Sequence, residues 1–382
     1  MCKNKTNINN SLKIIHFNIR GLDKNFDNLT TYLNSLDHSF DIITLSECHL
    51  TTNCDNRFKL SGYDNFFVYS NIKYGGCAIY CKTNLCATQI TGLTRSTATC
   101  DYTYIKIPHN KRCKEFNVGV YYRHCRNSKT DIMNFLNDFE KSLDRNYIRK
   151  HKLVVSGDFN LDLCKVNVSN DVLAYFNCLL SNNLECHILK PTRIQHFTDS
   201  LQVKSATLID HISSTLHELA CTAGNLYYSN SDHFPNFVIF DSFFNPGRHK
   251  VTETPTIRLL KNIDNNKLVE DMNTIHWNDD VCNDNLDLNT CTGNLFNHLT
   301  DLCDKHAPKV KCSKRKAKYS FKPWIDKELL KMILEKNNLY KEKVKSPSDI
   351  NKSKFNTARN KVNHSMRIKK KQYYAKYFND HR

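Results

Sequence analysis

Five apolar runs between residues 12 and 240 each carry a carboxylate, amide or imidazole at one end. Runs of this length and composition are typical of buried β-strands. The flanking side chains are Asn18, Glu47, Asp158 with Asn160, Asp210 with His211, and Asp232 with His233. One carboxylate at a strand end is ordinary, but five strands that deliver such groups to one sheet edge predict a functional site there.

The same region alternates strand patterns with helical patterns. Helical spacing is found at 26–36, 131–143 and 172–180, and strand patterns include 12–19, 40–45, 65–70, 76–82, 102–107, 116–122, 153–156, 206–213 and 237–240. Many hairpins with few long helices indicate either an α+β domain or two sheets with helices outside. We predict an α/β (α+β) fold, a four-layer sandwich of two mostly antiparallel β-sheets flanked by helices, followed by a mostly helical basic extension.

Turn residues mark the end of this region. The sequence Phe-Asn-Pro-Gly-Arg at 244–248 is typical of a turn, and the pattern beyond it is polar and helical. We therefore predict three segments: a main domain at 1–243, a helical linker region at 244–310 and a basic helical extension at 311–382.

The positive charge of the chain is concentrated in the last segment. Residues 311–382 hold 22 Lys and Arg against 6 Asp and Glu, a net of +16, which leaves +1 for residues 1–310. The basic residues alternate with Tyr373, Tyr374 and Tyr377, and basic side chains among aromatic ones favour nucleic-acid binding. A solvated helical linker and a localisation signal remain alternative interpretations.

The cysteines and the N-terminus bear on location. The 17 cysteines form no CxxC pair and no zinc-ligand spacing with histidine, which favours free thiols in a reducing compartment. The N-terminus is polar, and no stretch approaches the roughly 18 apolar residues that span a bilayer. We expect an intracellular protein, and a nuclear one in particular.

The residue types at the strand ends suit phosphodiester hydrolysis. Carboxylate and amide oxygens are the ligands that Mg²⁺ or Mn²⁺ prefers. A carboxylate can take a proton from an attacking water, and a protonated histidine can stabilise phosphoryl charge. Asp210 lies in an apolar run, where an unpaired carboxylate is costly, so we expect a histidine partner for it.

The order and spacing of six motifs resemble the endonuclease/exonuclease/phosphatase superfamily over roughly residues 12–240. The motifs are Phe-Asn-Ile-Arg-Gly at 17–21, Ser-Glu at 46–47, Tyr-Tyr-Arg at 121–123, Ser-Gly-Asp-Phe-Asn at 156–160, Leu-Ile-Asp-His at 208–211 and Ser-Asp-His at 231–233. Gly-Asp-Phe-Asn alone is a weak pattern, but its combination with the other motifs is specific.

Further motifs narrow the resemblance to the endonuclease domain of non-LTR (LINE-type) retrotransposons. They include Asn-Ile-Arg-Gly at 18–21, Gly-Gly at 75–76 and Pro-Thr-Arg at 191–193. The segments 245–248 and 322–325 resemble the region downstream of that domain in the polyproteins. The chain contains no Tyr/Phe-x-Asp-Asp polymerase motif.

The resemblance implies a role for each candidate residue. Glu47 would be the principal metal ligand, with Asn18 and Asp232 close to the metal or the phosphate. Asp158 would orient or deprotonate the attacking water, and Asn160 would hydrogen-bond the scissile phosphate. His233 would contact the phosphate, Asp210 would hold its tautomer, and Tyr122 would donate to the phosphate or leaving group.

Two positions depart from the patterns of relatives. The tyrosine is commonly followed, one residue on, by Pro-Pro, whereas this chain has His124-Cys125, so we expect a looser loop with Tyr121 as a rival to Tyr122. Arg20 stands where abasic-site repair enzymes of the superfamily carry an acidic residue, which favours the retrotransposon branch.

Several other polar residues have a structural interpretation. We interpret His211 as a structural histidine because it points to the other face of its strand from Asp210. His16 and His49 are interpreted as structural or surface residues, and Arg20 and Arg193 as either phosphate contacts or surface residues.

Together, the resemblance implies a Mg²⁺-dependent (or Mn²⁺-dependent) endonuclease that cleaves DNA to leave 3′-hydroxyl ends for target-primed reverse transcription. DNA would be its partner, and RNA could bind the basic tail. A phosphatase or phospholipase of the same superfamily is the rival enzyme. The alternative from another class is an inactive or domesticated retrotransposon fragment that only binds nucleic acid.

Overall fold

The computed structural model describes residues 10–36, 38–50, 55–110, 113–125, 128–143, 151–196, 203–245, 256–258, 263–281, 287–311 and 324–380. The chain forms two compact units: Met1–Gly247 with Lys327–Lys371, and Arg248–Asp326 with Gln372–Arg382. Because these units are grouped by contacts and not by order along the chain, the sequence boundaries at 243 and 310 stay predictions.

The strands and helices predicted within residues 12–240 are present, the strand at 206–213 in two parts, together with short strands that the sequence patterns did not predict. The strands are β1 (Leu12–Asn18), β2 (Ile42–Ser46), β3 (Tyr63–Val68), β4 (Cys77–Lys82), β5 (Thr88–Gln89), β6 (Arg95–Ser96), β7 (Cys100–Ile107), β8 (Phe116–Arg123), β9 (Lys152–Asp158), β10 (Glu185–Cys186), β11 (Arg193–His196), β12 (Val203–Thr207), β13 (Asp210–Ser214), β14 (Cys221–Asn225), β15 (Asn236–Phe240), β16 (Thr256–Arg258) and β17 (Lys309–Lys311). The helices are α1 (Leu22–Ser35), α2 (Lys129–Leu143), α3 (Asn170–Ser181), α4 (Asn265–Asn273), α5 (Trp277–Asp280), α6 (Leu288–His306), α7 (Lys327–Lys345) and α8 (Asp349–Asp380).

Two large sheets form the first unit. One has the strand order β14-β15-β1-β2-β4-β3, and the other has the order β10-β13-β9-β8-β7-β5, with β6 also on β7. The pairs β1–β2 and β8–β9 are parallel, and the other described pairs of these sheets are antiparallel. Each parallel pair is connected through a helix, α1 or α2, as parallel strands require.

Side chains alternate between two buried faces along the central strands. Ile14 of β1 packs in the core between the sheets, and its neighbour Ile15 packs on the α1 side. Val154 of β9 faces the same central core, whereas Val155 packs against α2 and α3. Both faces of each sheet are therefore covered, which confirms the predicted four-layer sandwich.

The predicted strand at 206–213 is divided in the structure. β12 ends at Thr207 and β13 begins at Asp210, with Leu208 and Ile209 between them. The backbone there bonds outside the sheet: Phe159 N–H donates to the Ile209 carbonyl at 2.9 Å, and Ile209 N–H donates to Thr192 Oγ1 at 3.3 Å. The break places Asp210 at the start of a strand.

The second unit is small and partly helical in its described residues. Asp271 of α4 pairs with Lys305 and His306 at the end of α6, each at 2.6 Å. Arg258 of β16 pairs with Asp304 at 2.6 Å. Each helix in the described part of the chain is too short or too polar to span a lipid bilayer.

The helices α7 and α8 carry part of the basic segment and belong to the first unit up to Lys371. Tyr340 of α7 and Phe355 of α8 pack with Phe234, which directly follows His233. Asn337 Oδ1 accepts a hydrogen bond from Ser229 Oγ at 3.2 Å. The α7–α8 hairpin is therefore docked on loop 229–234, which carries two predicted site residues.

We predict that replacing the buried Lys336 of α7 stabilises this unit. Lys336 is 3% exposed and donates Nζ to Asn230 Oδ1 at 3.0 Å, and burial lowers its pKa to about 8. Below pH 8 the Lys336 ammonium is charged although it is buried, and this burial of a charge destabilises the folded chain. Lys336→Met should raise the free energy of unfolding at pH 7 by about 1–3 kcal/mol, measured by urea denaturation.

Lys331→Met, at an exposed position of the same helix, makes the same charge change and should stay within about 0.5 kcal/mol of the parent chain. A loss of stability in Lys336→Met would show instead that the hydrogen bond to Asn230 outweighs the cost of burying the charge.

Candidate active site

The candidate residues meet where strand ends of both sheets adjoin. Asn18 is the last residue of β1, and Glu47 follows β2, both in one sheet. Asp158 ends β9 and Asp210 begins β13, both in the other sheet, where antiparallel pairing puts the two residues in register. The site therefore lies across the ends of two sheets, and the expectation of one sheet edge is corrected.

Asn18 joins the two sheets through its side-chain amide. Its Nδ2 donates to Glu47 Oε1 at 2.9 Å and to Asp158 Oδ2 at 2.8 Å. Both amide hydrogens are thereby used, and Oδ1 is buried with no hydrogen-bond partner among the described residues. An orphaned carbonyl oxygen beside a carboxylate is a suitable place for a cation.

Asp158 is fully buried and held at both oxygens. Besides the bond from Asn18 at Oδ2, its Oδ1 accepts the Asn160 backbone N–H at 3.0 Å. Burial, followed by the nearby Asp210 charge, raises the pKa of Asp158 to about 7. Its lone pairs are fixed in direction, as a proton acceptor needs.

Asp210 and His233 form a buried ion pair. His233 Nδ1 lies 2.9 Å from Asp210 Oδ2 and 3.1 Å from Oδ1. Burial lowers the pKa of His233, but the Asp210 charge and hydrogen bond outweigh it and raise that pKa to about 9. At neutral pH the ring is a cation, and the histidine partner expected for Asp210 is in place.

Glu47 is the second carboxylate that Asn18 contacts in this site. Burial raises its pKa, but the nearby His49 ring, the hydrogen bond from Asn18 and the Arg20 charge together outweigh burial and lower that pKa. His49 Nε2 lies 3.6 Å from Glu47 Oε2. The backbone of Glu47 is left-handed, with φ of 50°, a strained conformation for this residue that is often found at functional sites.

Asp232 lies between two arginines. Arg20 Nη1 is 2.8 Å from its Oδ1, and Arg193 Nε is 2.9 Å from its Oδ2. Arg20 also approaches Glu47 Oε2 at 3.9 Å, so it connects the two carboxylates. The site therefore includes Arg20, Arg193 and His49. A surface position was an alternative interpretation for each of them, and their contacts are seen only in the folded chain.

The structure distinguishes the two candidate tyrosines. Tyr121 is buried in the α2 layer, where its hydroxyl bonds Tyr104 and Ser142. Tyr122 is on the opposite face of β8, where burial and the charges of Glu47 and Asp158 raise its pKa, so it keeps its proton. Tyr122 is thus the tyrosine at the site.

His124, one of the two residues that stand where relatives carry Pro-Pro, has a buried partner in the fold. His124 is buried, and its Nε2 lies 3.1 Å from Asp101 Oδ2. The same carboxylate oxygen accepts the Gly76 N–H at 2.8 Å. A buried polar pair therefore fixes His124 at the start of this loop.

Asn160 is fixed to the neighbouring strand. Its Nδ2 donates to the Arg123 carbonyl at 2.7 Å, and Arg123 Nη2 donates to the Asn160 carbonyl at 2.9 Å. Its backbone is left-handed, with φ of 49°. This reciprocal pair sets the exit of the chain from β9 and orients the Asn160 N–H towards Asp158.

Two buried histidines near the site have structural contacts. His211 accepts or donates through Nδ1 to Tyr175 Oη at 3.1 Å and through Nε2 to the Leu208 carbonyl at 3.0 Å, as expected of a structural residue. His16 bonds Thr44 and Ser46 and lies 3.9 Å from Asp210 Oδ1. Burial lowers the pKa of each ring to about 4, so both are neutral.

The donor set fits a divalent cation held through oxygen. Asp158, Asp210 and His233 form one compact group, with ligand atoms within 4.8 Å of one another. His233 Nδ1 is engaged by Asp210, and as long as the ring is a cation neither of its nitrogens has a lone pair for a metal. The better place is beside Glu47 and the open Oδ1 of Asn18. Asp232, the third predicted ligand, is held by its two arginines.

A model of the endonuclease/exonuclease/phosphatase family matches residues 15–234, and the chain belongs to that family. Similar structures include the catalytic domain of APE2 from Xenopus laevis, with 19% identity and a TM-score of 0.49 over 62% of this chain and 94% of that one. The AP endonuclease LMAP from Leishmania major has 13% identity and a TM-score of 0.48 over 63% and 91% of the two chains. The endonuclease domain of TRAS1, a telomere-specific non-LTR retrotransposon, has 14% identity and a TM-score of 0.45 over 60% and 98%. No curated protein matches the sequence.

We predict that Gly157→Ala severely destabilises the first unit. A Cβ at Gly157 would lie 2.1 Å from the Tyr121 carbonyl oxygen, and the backbone φ of 155° is one that other residues rarely adopt. The expected loss is about 3 kcal/mol or more in the free energy of unfolding. Gly224→Ala in β14, where a Cβ meets ring carbons at 3.5 Å or more, should cost far less, and equal losses would contradict the steric argument.

We also predict that Asp210→Asn changes the titration of His233. Without the Asp210 carboxylate, the pKa of His233 should fall well below 9, because burial is then opposed only by the weaker effects of Asp158 and Asp232. NMR titration of the metal-free protein measures this, with the His233→Gln spectrum used to assign the signal. A pKa that stays near 9 in the variant would show that Asp210 is not the source of the shift.

Proposed function

We propose that this chain is a divalent-metal-dependent endonuclease that hydrolyses DNA phosphodiester bonds and leaves 3′-hydroxyl ends. The proposal rests on one observation: two buried groups, each with a shifted pKa, lie close together in the site. Asp158 is a proton acceptor held by Asn18, and His233 is a buried cation held by Asp210. A base and a cation side by side match the needs of attack by water on a phosphate.

The cation is proposed to be Mg²⁺ or Mn²⁺. Glu47 and the Asn18 carbonyl oxygen would hold it, because both are hard oxygen donors and Oδ1 of Asn18 has no other partner among the described residues. When bound, such an ion supplies charge stabilisation for the phosphate and the leaving alkoxide. Asp232 is assigned a position near the phosphate, where Arg20 and Arg193 hold it.

The water would be activated from the Asp158 side. Its two oxygens are oriented by Asn18 and by the Asn160 N–H, so a water that donates to Asp158 has a defined direction of attack. Transfer of the proton to Asp158 generates the hydroxide that forms the new P–O bond. We assign Asn160 to the same side, because its side chain and backbone set the loop that carries the water.

The phosphate would be held from the opposite side. The imidazolium of His233 faces the growing charge on the phosphoryl oxygens, and Asp210 keeps it protonated and in place. Tyr122 remains neutral and can donate its hydroxyl proton to a phosphate or leaving-group oxygen. The P–O3′ bond breaks as the new P–O bond forms, and the 3′-oxygen takes a proton from Tyr122, which solvent restores, to leave as the hydroxyl.

The biological context we propose is target-primed reverse transcription in a LINE-type element. Support comes from Asn-Ile-Arg-Gly at 18–21, which places Arg20 beside Glu47, and from Pro-Thr-Arg at 191–193, which places Arg193 beside Asp232. The 3′-hydroxyl product would serve as a primer. A nuclear location and RNA binding by the basic tail are part of this proposal.

Nicking of supercoiled plasmid tests the proposed activity. We expect the parent chain to nick with Mg²⁺ or Mn²⁺, EDTA to abolish nicking, and the nicked product to prime a DNA polymerase without phosphatase treatment. Asp158→Asn and His233→Gln should each lower the rate by roughly 10²–10⁴-fold, since each removes a group that acts in the transition state.

Asp138→Asn on α2 makes a matched charge change outside the site and should nick at the parental rate. Nicking that survives both site substitutions would refute the assignment. A well-folded parent chain that binds DNA and never nicks it would favour the binding-only alternative.

A further inference from the structure

A groove of about 790 Å³ in the first unit continues from the candidate active site. Its walls are the start of α1, loop 229–234 and the α7–α8 hairpin. Arg20 and Asp232 line the groove and also belong to the site, where they form an ion pair at 2.8 Å. The groove therefore opens directly beside Asp232, the residue before His233.

The charge of the groove is positive on balance. Six cationic side chains line it, namely Arg20, Lys24, Lys343, Arg359, Arg367 and Lys370, against three carboxylates, Asp23, Asp27 and Asp232. Arg20 and Lys370 are paired with Asp232 and Asp27. Among the described residues no carboxylate pairs with Lys343, Arg359 or Arg367, so these three charges are available to an anion.

Three cations and one amide of α8 lie along the face of the helix that lines the groove. Arg359, Asn363, Arg367 and Lys370 follow one another at intervals of four, four and three residues, and all four line the groove. Such spacing puts side chains in a row on one side of a helix. Three members of this row, Arg359, Arg367 and Lys370, are cations, which suits a ligand that carries several negative charges.

The hairpin is held firmly enough to act as a wall. Phe355 packs with Phe234 and Tyr340 in a buried cluster, and Lys343 lies 5.1 Å from the Phe355 ring centre. Lys370 Nζ reaches Asp27 of α1 at 3.3 Å, across the groove. The basic helices thus belong to the same compact unit as the site.

We propose that this groove binds the sugar-phosphate backbone of the DNA that flanks the cleaved bond. The inference rests on the proposed endonuclease function, and it assigns the basic helices to substrate binding. The groove continues from a site for one phosphate, and its unpaired cations would contact the neighbouring phosphates. Release of condensed counterions would supply the affinity.

Two triple variants with equal charge change test the inference. The groove variant is Lys343→Gln/Arg359→Gln/Arg367→Gln, and the control is Lys345→Gln/Lys354→Gln/Lys361→Gln, at exposed positions of the same helices that do not line the groove. Binding is measured by anisotropy with a fluorescein-labelled DNA duplex, without divalent metal and over a series of salt concentrations.

For the groove variant we expect a Kd about tenfold higher at low salt, and a slope of log K against log salt reduced by about 2 to 3. The control should lose much less affinity. In plasmid nicking, the groove variant should raise KM with kcat unchanged. Equal losses in both variants would overturn the inference, because binding would then follow net charge alone.

The outcomes separate this inference from the proposed function. If the parent chain nicks DNA and the groove variant binds and nicks normally, the groove does not bind the DNA backbone, and the proposed endonuclease activity stands. If the parent chain never nicks DNA and only the groove variant loses binding, the proposed endonuclease activity is wrong, and binding of the DNA backbone in the groove stands. An RNA duplex that binds more tightly than DNA, and only through the groove, would overturn the assignment to DNA.

Stability must be checked because Lys343 and Arg359 contact the Phe355 ring. Melting curves of each triple serve this purpose. Arg367→Gln alone, at an exposed position outside this ring contact, keeps the test informative if the triple unfolds, with an expected salt-slope change of about 1.

Discussion

Two buried carboxylates in register on neighbouring strands are the constraint on which the site depends. Asp158 and Asp210 are both buried at the junction of β9 and β13, where two negative charges would repel each other strongly. His233 compensates one of them as a cation, and Asn18 donates to the other. Removing His233 would leave the buried Asp210 charge without its partner, which typically costs about 3–5 kcal/mol.

This arrangement also explains how one group of residues can serve two chemical roles. The pKa of Asp158 is raised by burial and by Asp210, while the pKa of His233 is raised by Asp210 against burial. Asp210 therefore acts on both, although it needs no direct contact with a phosphate. Similar environments separate acid from base in many hydrolytic enzymes.

Much of the fold could be predicted because both faces of each sheet are covered. Strands buried on two faces appear as apolar runs, so β1, β8, β9 and β15 were found within one or two residues of their bounds. The division between β12 and β13 could not be predicted, since Leu208 and Ile209 are apolar and the bonds that break the strand come from Thr192 and Phe159. For the same reason, nothing near His124 in the sequence indicated Asp101 as its partner.

The sequence by itself determined which residues are candidates for the site and which family the chain resembles. Motifs at strand ends can be recognised by their order along the chain, without knowing which residues are in contact. Tertiary structure decided how those groups act. It selected Tyr122 over Tyr121 by the face of β8, brought Arg20 and Arg193 to Asp232, and placed the basic α7–α8 hairpin in the same unit as the site. These contacts depend on long-range packing and burial. Local sequence patterns carry no information about which charged residues, far apart in the chain, will be buried together.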